Sequence, residues 1–404
     1  MARIFLSALI VFTSLLPVVT LAQVSAPATR VTSGFEAWRN RFRITALGAG
    51  ISATTFDSAF SNVQYDPRIE TSDGDQVEFV RPIWEYLDGA VSANRISTGK
   101  SKARSIQGLL LTFETKYSVD SEILLAIWGM ETNFGAFRGN TYTIEALANG
   151  AYNGRRHAFT QTELIAALQI LDRGDVTPNS MLGSRSGAMG HTQFMPTTYL
   201  RHSVDHTRDG HSDVWSDDPA DALASAANYL RQLGWKRDQP WGMEVTLPRG
   251  FDYALIGEYE PRSASFWNTR GVRTARGGRI PNHGDTALLA PAGAKGPIFA
   301  IFPNFQVIRQ YNMSVSYAIA VGHLSDRING GEAFKASWPR GDTPMTRANQ
   351  HEIQTLLHKR GFDVGVIDGM IGPNTIEAIQ AFQVSEGLLA DGYATLNLLD
   401  LLRR

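Results

Sequence analysis

Cysteine is absent from all 404 residues. Disulfide staples, a thiol nucleophile and lipid attachment at a leader-cleavage cysteine are therefore excluded, and the fold must be held by packing alone. An excess of charge of one sign is missing too: 38 Lys and Arg against 39 Asp and Glu leave a formal net charge of -1. No field of that size gathers a polyanion, so nucleic acid is excluded as a partner. Long apolar runs occur only at the start, from Ile4 to Val19, where Ser7, Thr13, Ser14 and Pro17 interrupt them. Arg3 precedes this run and the small residues Ala22, Ser25 and Ala26 follow it, which is the layout of a secretory signal peptide, expected over residues 1–22. The run is short and carries Pro17, so no stable membrane anchor is expected.

What is present is the composition of a globular protein, 43% hydrophobic and 19% charged, at a length that favours two or three cores. Apolar periodicity predicts a mainly α first unit: a loosely helical stretch from Phe35 to Trp84, then helices over Ser105–Tyr117, Ser121–Glu131, Gln161–Leu171 and Asp221–Leu233. Between about Trp241 and Ile308 the texture changes to Gly, Pro and Arg among short β-prone runs, Glu244–Leu247 and Ile298–Phe302, which predicts a small β-bearing insertion. A helical pattern resumes at Ser314. Polar sequence with Gly and Pro from Gly330 to Pro344 reads as a linker, and Ile353, Leu356 and Leu357, then Ile376, Ile379 and Phe382, then Leu396 and Leu399 mark a three-helix C-terminal unit.

The chemistry concentrates in a few segments. Ile123 to Met130 is almost wholly apolar and ends in Glu131. A carboxyl group there is open to desolvation and to the negative end of the helix, the conditions that suit a general acid. On this residue alone an ion-paired or hydrogen-bonded core carboxylate is the simpler reading. The block Gly187-Ala188-Met189-Gly190 then leads to Gln193-Phe194-Met195-Pro196, where small residues let backbone approach a ligand and Gln193 offers donor and acceptor groups. Tyr311-Asn312 and Tyr317 add aromatic faces and an amide, the groups that hold sugars.

Together, GMETNFG, GAMGHTQFMP and YNMSVSYA resemble the three signature segments of the B-type lytic murein transglycosylases in order and spacing. The resemblance covers about Phe35 to Leu324 and implies a lysozyme-like catalytic domain over residues 30–329. It also implies that Glu131 is the single catalytic acid, with substrate-binding positions at Ser184, Met189, Gln193, Tyr229, Tyr311, Asn312 and Tyr317. The implied reaction is cleavage between N-acetylmuramic acid and N-acetylglucosamine, with the muramoyl C6 hydroxyl as nucleophile, so that one carboxyl group suffices where ordinary glycosidases pair two. Peptidoglycan glycan strands are then the partner and the periplasm the place. Glu145 and Glu163 remain unassigned acids. A muramidase that uses water and a non-catalytic peptidoglycan-binding protein stay open as alternatives.

Asp205, Thr207, Asp209-Gly210, His211 and Asp213 approximate the opening of an EF-hand calcium loop. Ser216 stands where such a loop has its closing Glu, and the family's own longer loop makes Asp221 the candidate closing carboxylate. A structural calcium ion is thus a possible ligand, the alternative being a polar Asx-rich turn; no cofactor is required for the chemistry. His202 and His206 have i, i+4 spacing but no HExxH context, and are expected at the surface. The pair Arg155-Arg156 reads equally as a substrate contact or a solvated patch. Over residues 347–404 the segments IQTLLHKRGF, DGMIGPNTIEAIQAFQ and GLLADG resemble the type 1 peptidoglycan-binding domain, in which Asp368, Gly369 and Gly372 are expected to be turn residues.

Overall fold

The computed structural model describes residues 27–70, 81–154 and 156–404. The expected signal peptide and Arg155 lie outside the described residues. Among the described residues, no helix is long and apolar enough to cross a membrane.

The centre of the first unit is the helix Ser121–Thr132, in which every residue from Ile123 to Gly129 is buried. A helix apolar on all sides can only be a core element, and here the helices Ala93–Ser105, Gln107–Tyr117, Ala220–Gln232 and Val315–Ile328 surround it. Two glycines allow the close fit. A Cβ at Gly129 would lie 2.7 Å from the Phe134 ring, and one at Gly99 would lie 2.5 Å from Ile328 Cδ1. The helix expected from Ser105 begins instead at Gln107, because a preceding helix ends at Ser105 and Ile106 breaks the ladder between them. Around this centre run Pro27–Gly48, Ala53–Ala59, Pro67–Glu70 and Ile83–Ala90, then Thr143–Asn153 and His157–Asp172, with a two-stranded ribbon of β1 (Thr141–Tyr142) and β2 (Leu182–Gly183).

The insertion is a five-stranded antiparallel sheet. Its strands are β3 (Gly242–Thr246), β4 (Gly257–Arg262), β5 (Arg273–Thr274), β6 (Thr286–Leu289) and β7 (Ile298–Ile301), in the spatial order β4-β6-β7-β3-β5. Every residue of β6 and β7 is buried, as expected of short central strands covered on both faces. A separate small core around Trp267, whose indole N–H donates to the Thr286 carbonyl at 2.8 Å, holds the lobe together. The lobe is joined to the helical unit by a buried ion pair. Arg309 Nε donates to Glu258 Oε1 at 2.8 Å, with 10% and 6% of the two side chains exposed.

Residues 347–404 form the helices Arg347–Lys359, Pro373–Ser385 and Leu396–Leu402 around Ile353, Leu357, Ile379, Phe382 and Leu399. The preceding segment has no helix or strand, yet it is packed down. Phe334 stacks on His323 with ring centroids 3.8 Å apart, Trp338 lies against Trp84 and Phe299, and the Lys335 and Ala336 N–H groups donate to the Glu244 carboxylate. Burial there, with the Arg327 charge nearby, pushes the His323 pKa down to about 4. The C-terminal unit itself rests on the sheet lobe. Gln380 Nε2 donates to the Ile256 carbonyl at 3.0 Å, and Asp391 Oδ2 accepts from the Ala294 N–H at 3.0 Å. Asp391 and Gly392 thus form a docking turn, while Asp368 and Gly369 make the intradomain turn in which Gln354 Oε1 accepts both backbone N–H groups.

Candidate active site

Glu131 is the penultimate residue of the buried helix, which stops where Asn133 turns left-handed at φ 49°. Phe134 and Gly135 continue in the same region, at φ 60° and 87°. The chain therefore leaves the core abruptly, and the carboxyl group sits half-buried at the rim. The Tyr317 hydroxyl donates to Glu131 Oε1 at 2.5 Å, across 186 residues of sequence. That length is at the short end for a hydroxyl on a carboxylate. Burial first, and the Glu131 charge second, push the Tyr317 phenol well above its usual pKa, so it keeps its proton. Tyr311 is raised by the same two causes and anchors its hydroxyl on the Thr192 carbonyl at 2.7 Å. Asn312 caps the helix Pro303–Tyr311, and its Oδ1 accepts from the Ser314 N–H at 2.9 Å.

Gln193, next to the Thr192 carbonyl that holds Tyr311, has a left-handed backbone, φ 49°, a conformation non-glycine residues adopt only where surroundings impose it. Its amide Nε2 donates to the Gly190 carbonyl at 2.9 Å and to the Arg138 carbonyl at 3.2 Å. The expected mixed donor and acceptor is thus narrowed to its oxygen. Tyr229, Tyr311 and Phe194 form a ring triangle with centroid separations of 5.6 to 6.1 Å. Ser184 closes a turn in which its Oγ accepts from the Ser186 and Ala188 N–H groups. Met189 requires a correction. Its exposure is 0%, within a short β-bridge to Gly183 and Phe194, so its side chain is packed inside the fold and presents no open surface.

The other acids are structural. Glu163 is 3% exposed and accepts from the Thr197 N–H and hydroxyl, capping the helix Pro196–His202, and Glu145 accepts from the Gln64 N–H. His202 and His206 are also corrected, from surface to half-buried. The former packs on Tyr229 and the latter against the edge of Phe113, so the two do not converge on a metal.

In the acidic loop, one carboxylate oxygen each of Asp205, Asp209 and Asp221 lie within 4.8 Å of one another. The backbone wraps around them. Asp205 accepts from the Arg208, Asp209 and Gly210 N–H groups, buried Asp221 from those of His206, Thr207 and Asp213, and Asp209 from that of His211. Three converging carboxylates suit a hard divalent cation. Thr207 directs its hydroxyl to Asp205 at 3.4 Å, and His211, exposed, is not among the converging side chains.

Sequence reasoning missed Trp128, Arg138 and His191. The indole N–H of Trp128 donates to His191 Nδ1 at 3.0 Å, the Thr132 hydroxyl donates to the His191 carbonyl at 2.7 Å, and Arg138 donates to the Ser216 carbonyl at 2.6 Å and to Asp217 at 2.7 Å. The signal was present, since His191 lies inside GAMGHTQFMP and Arg138 follows Glu131 by two helical turns' length of sequence.

Comparison with known proteins bears on this geometry. The Transglycosylase SLT domain family matches residues 34–326, and the peptidoglycan binding domain family matches residues 346–402. The solved structures of SltB3 from Pseudomonas aeruginosa, in complex with NAG-anhNAM-pentapeptide and with NAG-NAM-pentapeptide, are 46% identical, with a TM-score of 0.88. In the former complex the match covers 92% of this chain and 99% of that one. Membrane-bound lytic murein transglycosylase B of Escherichia coli (strain K12) is 35% identical over 219 residues, 52% of this chain, which spans 58% of that relative's length. The Escherichia coli lytic transglycosylase Slt35 in complex with calcium superposes with a TM-score of 0.63 at 26% identity, covering 72% of this chain and 92% of that one. With its lysozyme-like helical unit, sheet lobe and C-terminal three-helix unit, this chain belongs to the B-type lytic murein transglycosylases that carry a peptidoglycan-binding domain.

Proposed function

We propose that the protein, acting in the periplasm, cleaves the bond between N-acetylmuramic acid and N-acetylglucosamine in peptidoglycan and leaves a 1,6-anhydromuramoyl end, with Glu131 as the only proton carrier. The observation that carries this reading is the Glu131–Tyr317 pair at the exit of an apolar helix. Glu131 in its acid form gives its proton to the glycosidic oxygen as the C1–O bond breaks. The carboxylate so formed takes the proton of the muramoyl C6 hydroxyl as O6 bonds to C1. Glu131 ends protonated and no water is consumed. The Tyr317 hydroxyl donates to Oε1 whether the group is a carboxylate or an acid protonated on Oε2, so the contact persists through both halves of the cycle without taking up the catalytic proton. Glu145 and Glu163, tied to backbone N–H groups, are not available as a second carboxylate. Tyr311, Asn312, Tyr229, Ser184 and the Gln193 oxygen are the proposed sugar-binding groups.

Digestion of purified peptidoglycan by the mature protein, with products weighed by mass spectrometry, tests substrate and mechanism together. Anhydro ends, lighter than reducing ends by one water, are expected. Reducing ends as the main product would make the protein a muramidase, and an unaltered wall would make it a binder.

Calcium is proposed as a structural ligand of Asp205, Asp209 and Asp221, with the Thr207 and His211 positions completing the loop. A cation bound by the folded state alone stabilises it by mass action, about 2.7 kcal/mol at a hundredfold excess over the dissociation constant. Millimolar calcium is therefore expected to raise the melting temperature and chelation to lower it. Asp209→Ala, at an exposed position, should abolish that response while the product remains anhydro. A wild-type melting curve indifferent to both treatments would leave the loop as a hydrogen-bonded turn.

A further inference from the structure

The acidic loop departs from an ordinary twelve-residue calcium loop after Ser216, since its closing carboxylate, Asp221, comes five positions late. The residues that lengthen it are held. Ser216 offers its carbonyl to two donors at once, Arg138 Nη1 at 2.6 Å and His191 Nε2 at 2.8 Å. An indole N–H only donates, so His191 Nδ1, which receives Trp128 Nε1–H, carries no proton and Nε2 must carry it. The 3.1 Å approach of Arg138 Nη1 to His191 Nε2 is therefore two donors sharing one acceptor. The second arm of the guanidinium reaches Asp217 at 2.7 Å.

At its other end this arrangement touches the active site. Trp128 stands one turn before Glu131 on the same helix, Thr132 is its neighbour and is bonded to the His191 carbonyl, and the Arg138 carbonyl accepts the Gln193 amide. Gly135 lies hard against the imidazole, where a Cβ would come within 2.6 Å of it. Burial holds His191 below the usual histidine pKa, so the ring stays neutral and its tautomer fixed.

We infer that Arg138 and His191 are positioning residues that clamp the Ser216–Asp217 extension of the acidic loop to the end of the Glu131 helix and to Gln193. The loop thereby sets the aim of the glutamate and of the amide without touching substrate. This rests on the assignment of Glu131 as the acid.

Steady-state kinetics of the full chain on soluble peptidoglycan fragments test it, with Glu131→Gln as the blank. Arg138→Gln should lower kcat by about tenfold to a hundredfold with KM within about twofold, the pattern of a misaimed catalytic group. Arg138→Lys should recover part of kcat, because an ammonium still reaches the Ser216 carbonyl but cannot span both acceptors. Asp217 is 98% exposed at its side chain, so Asp217→Ala will fold. Its kcat should fall about threefold, and the double variant should lose no more than Arg138→Gln alone, since the two residues act through one contact. Unchanged kcat in either single variant, a raised KM at constant kcat, or losses that multiply in the double variant would each overturn the clamp. Activity in Glu131→Gln would instead remove the acid assignment itself.

Discussion

Glu131→Gln is expected to leave a folded, wall-binding protein whose cleavage rate has dropped by at least about 100-fold to 10,000-fold, the range that general acid catalysis alone supplies. The amide keeps the shape of the side chain and can still accept from the Tyr317 hydroxyl, so the contact that fixes the helix end persists. It can neither release a proton to the glycosidic oxygen nor take one from the C6 hydroxyl. Both halves of the proposed cycle fail together. Initial rates on purified sacculi, beside near-ultraviolet circular dichroism to confirm the fold, provide the measurement, and a rate within about threefold of wild type would leave the acid role without support.

Glu258→Ala is expected to destabilise the protein by about 3–5 kcal/mol, because removal of one member of a buried ion pair leaves its partner charged and unsolvated. Arg309 is poorly placed to escape, being 9% exposed, with Nη1 already lacking a hydrogen-bond partner. The double substitution Glu258→Leu with Arg309→Met should recover most of the loss, since apolar groups of similar volume tolerate the site. Equilibrium urea unfolding measures both. A loss below about 1 kcal/mol in the single variant would place the pair among ordinary surface contacts. Arg309 lies two residues before Tyr311, so the pair also steadies the element that presents Tyr311 and Asn312 to the cleft.

How much of this could be read beforehand depended on the range of the interactions. Helices with a clear apolar stripe, such as Ala220–Gln232 and Val315–Ile328, were legible because periodicity is local. β6 was not, since Thr-Ala-Leu-Leu is buried along its whole length, has no alternation to reveal it and lacks the Ile and Phe that marked β7. The position of Glu131 at the end of a buried helix was legible. Its bond to Tyr317 was not, since family likeness implied Tyr317 only as a substrate-binding position. The Arg138 contacts to Ser216 and Asp217 bridge 78 and 79 residues and leave no periodic trace. The segment from Gly330 to Pro344 was read from its Gly, Pro and polar content, although Phe334 and Trp338, two large aromatic rings, were a reason to expect burial. Met189 was named as a substrate position through family likeness alone, within Gly187-Ala188-Met189-Gly190. The β-bridge there turns its side chain inward.

The packed segment before residue 347 and the Gln380 and Asp391 contacts alter what the C-terminal unit can contribute. A freely tethered module raises local substrate concentration in proportion to the volume it sweeps. A seated one has surrendered its rotational and translational freedom on folding, before any strand arrives. Its entropy is then not lost a second time when a strand is gripped at both places, and only strands whose path matches one fixed offset and direction gain from both grips. The seat thus exchanges breadth of capture for selection by shape.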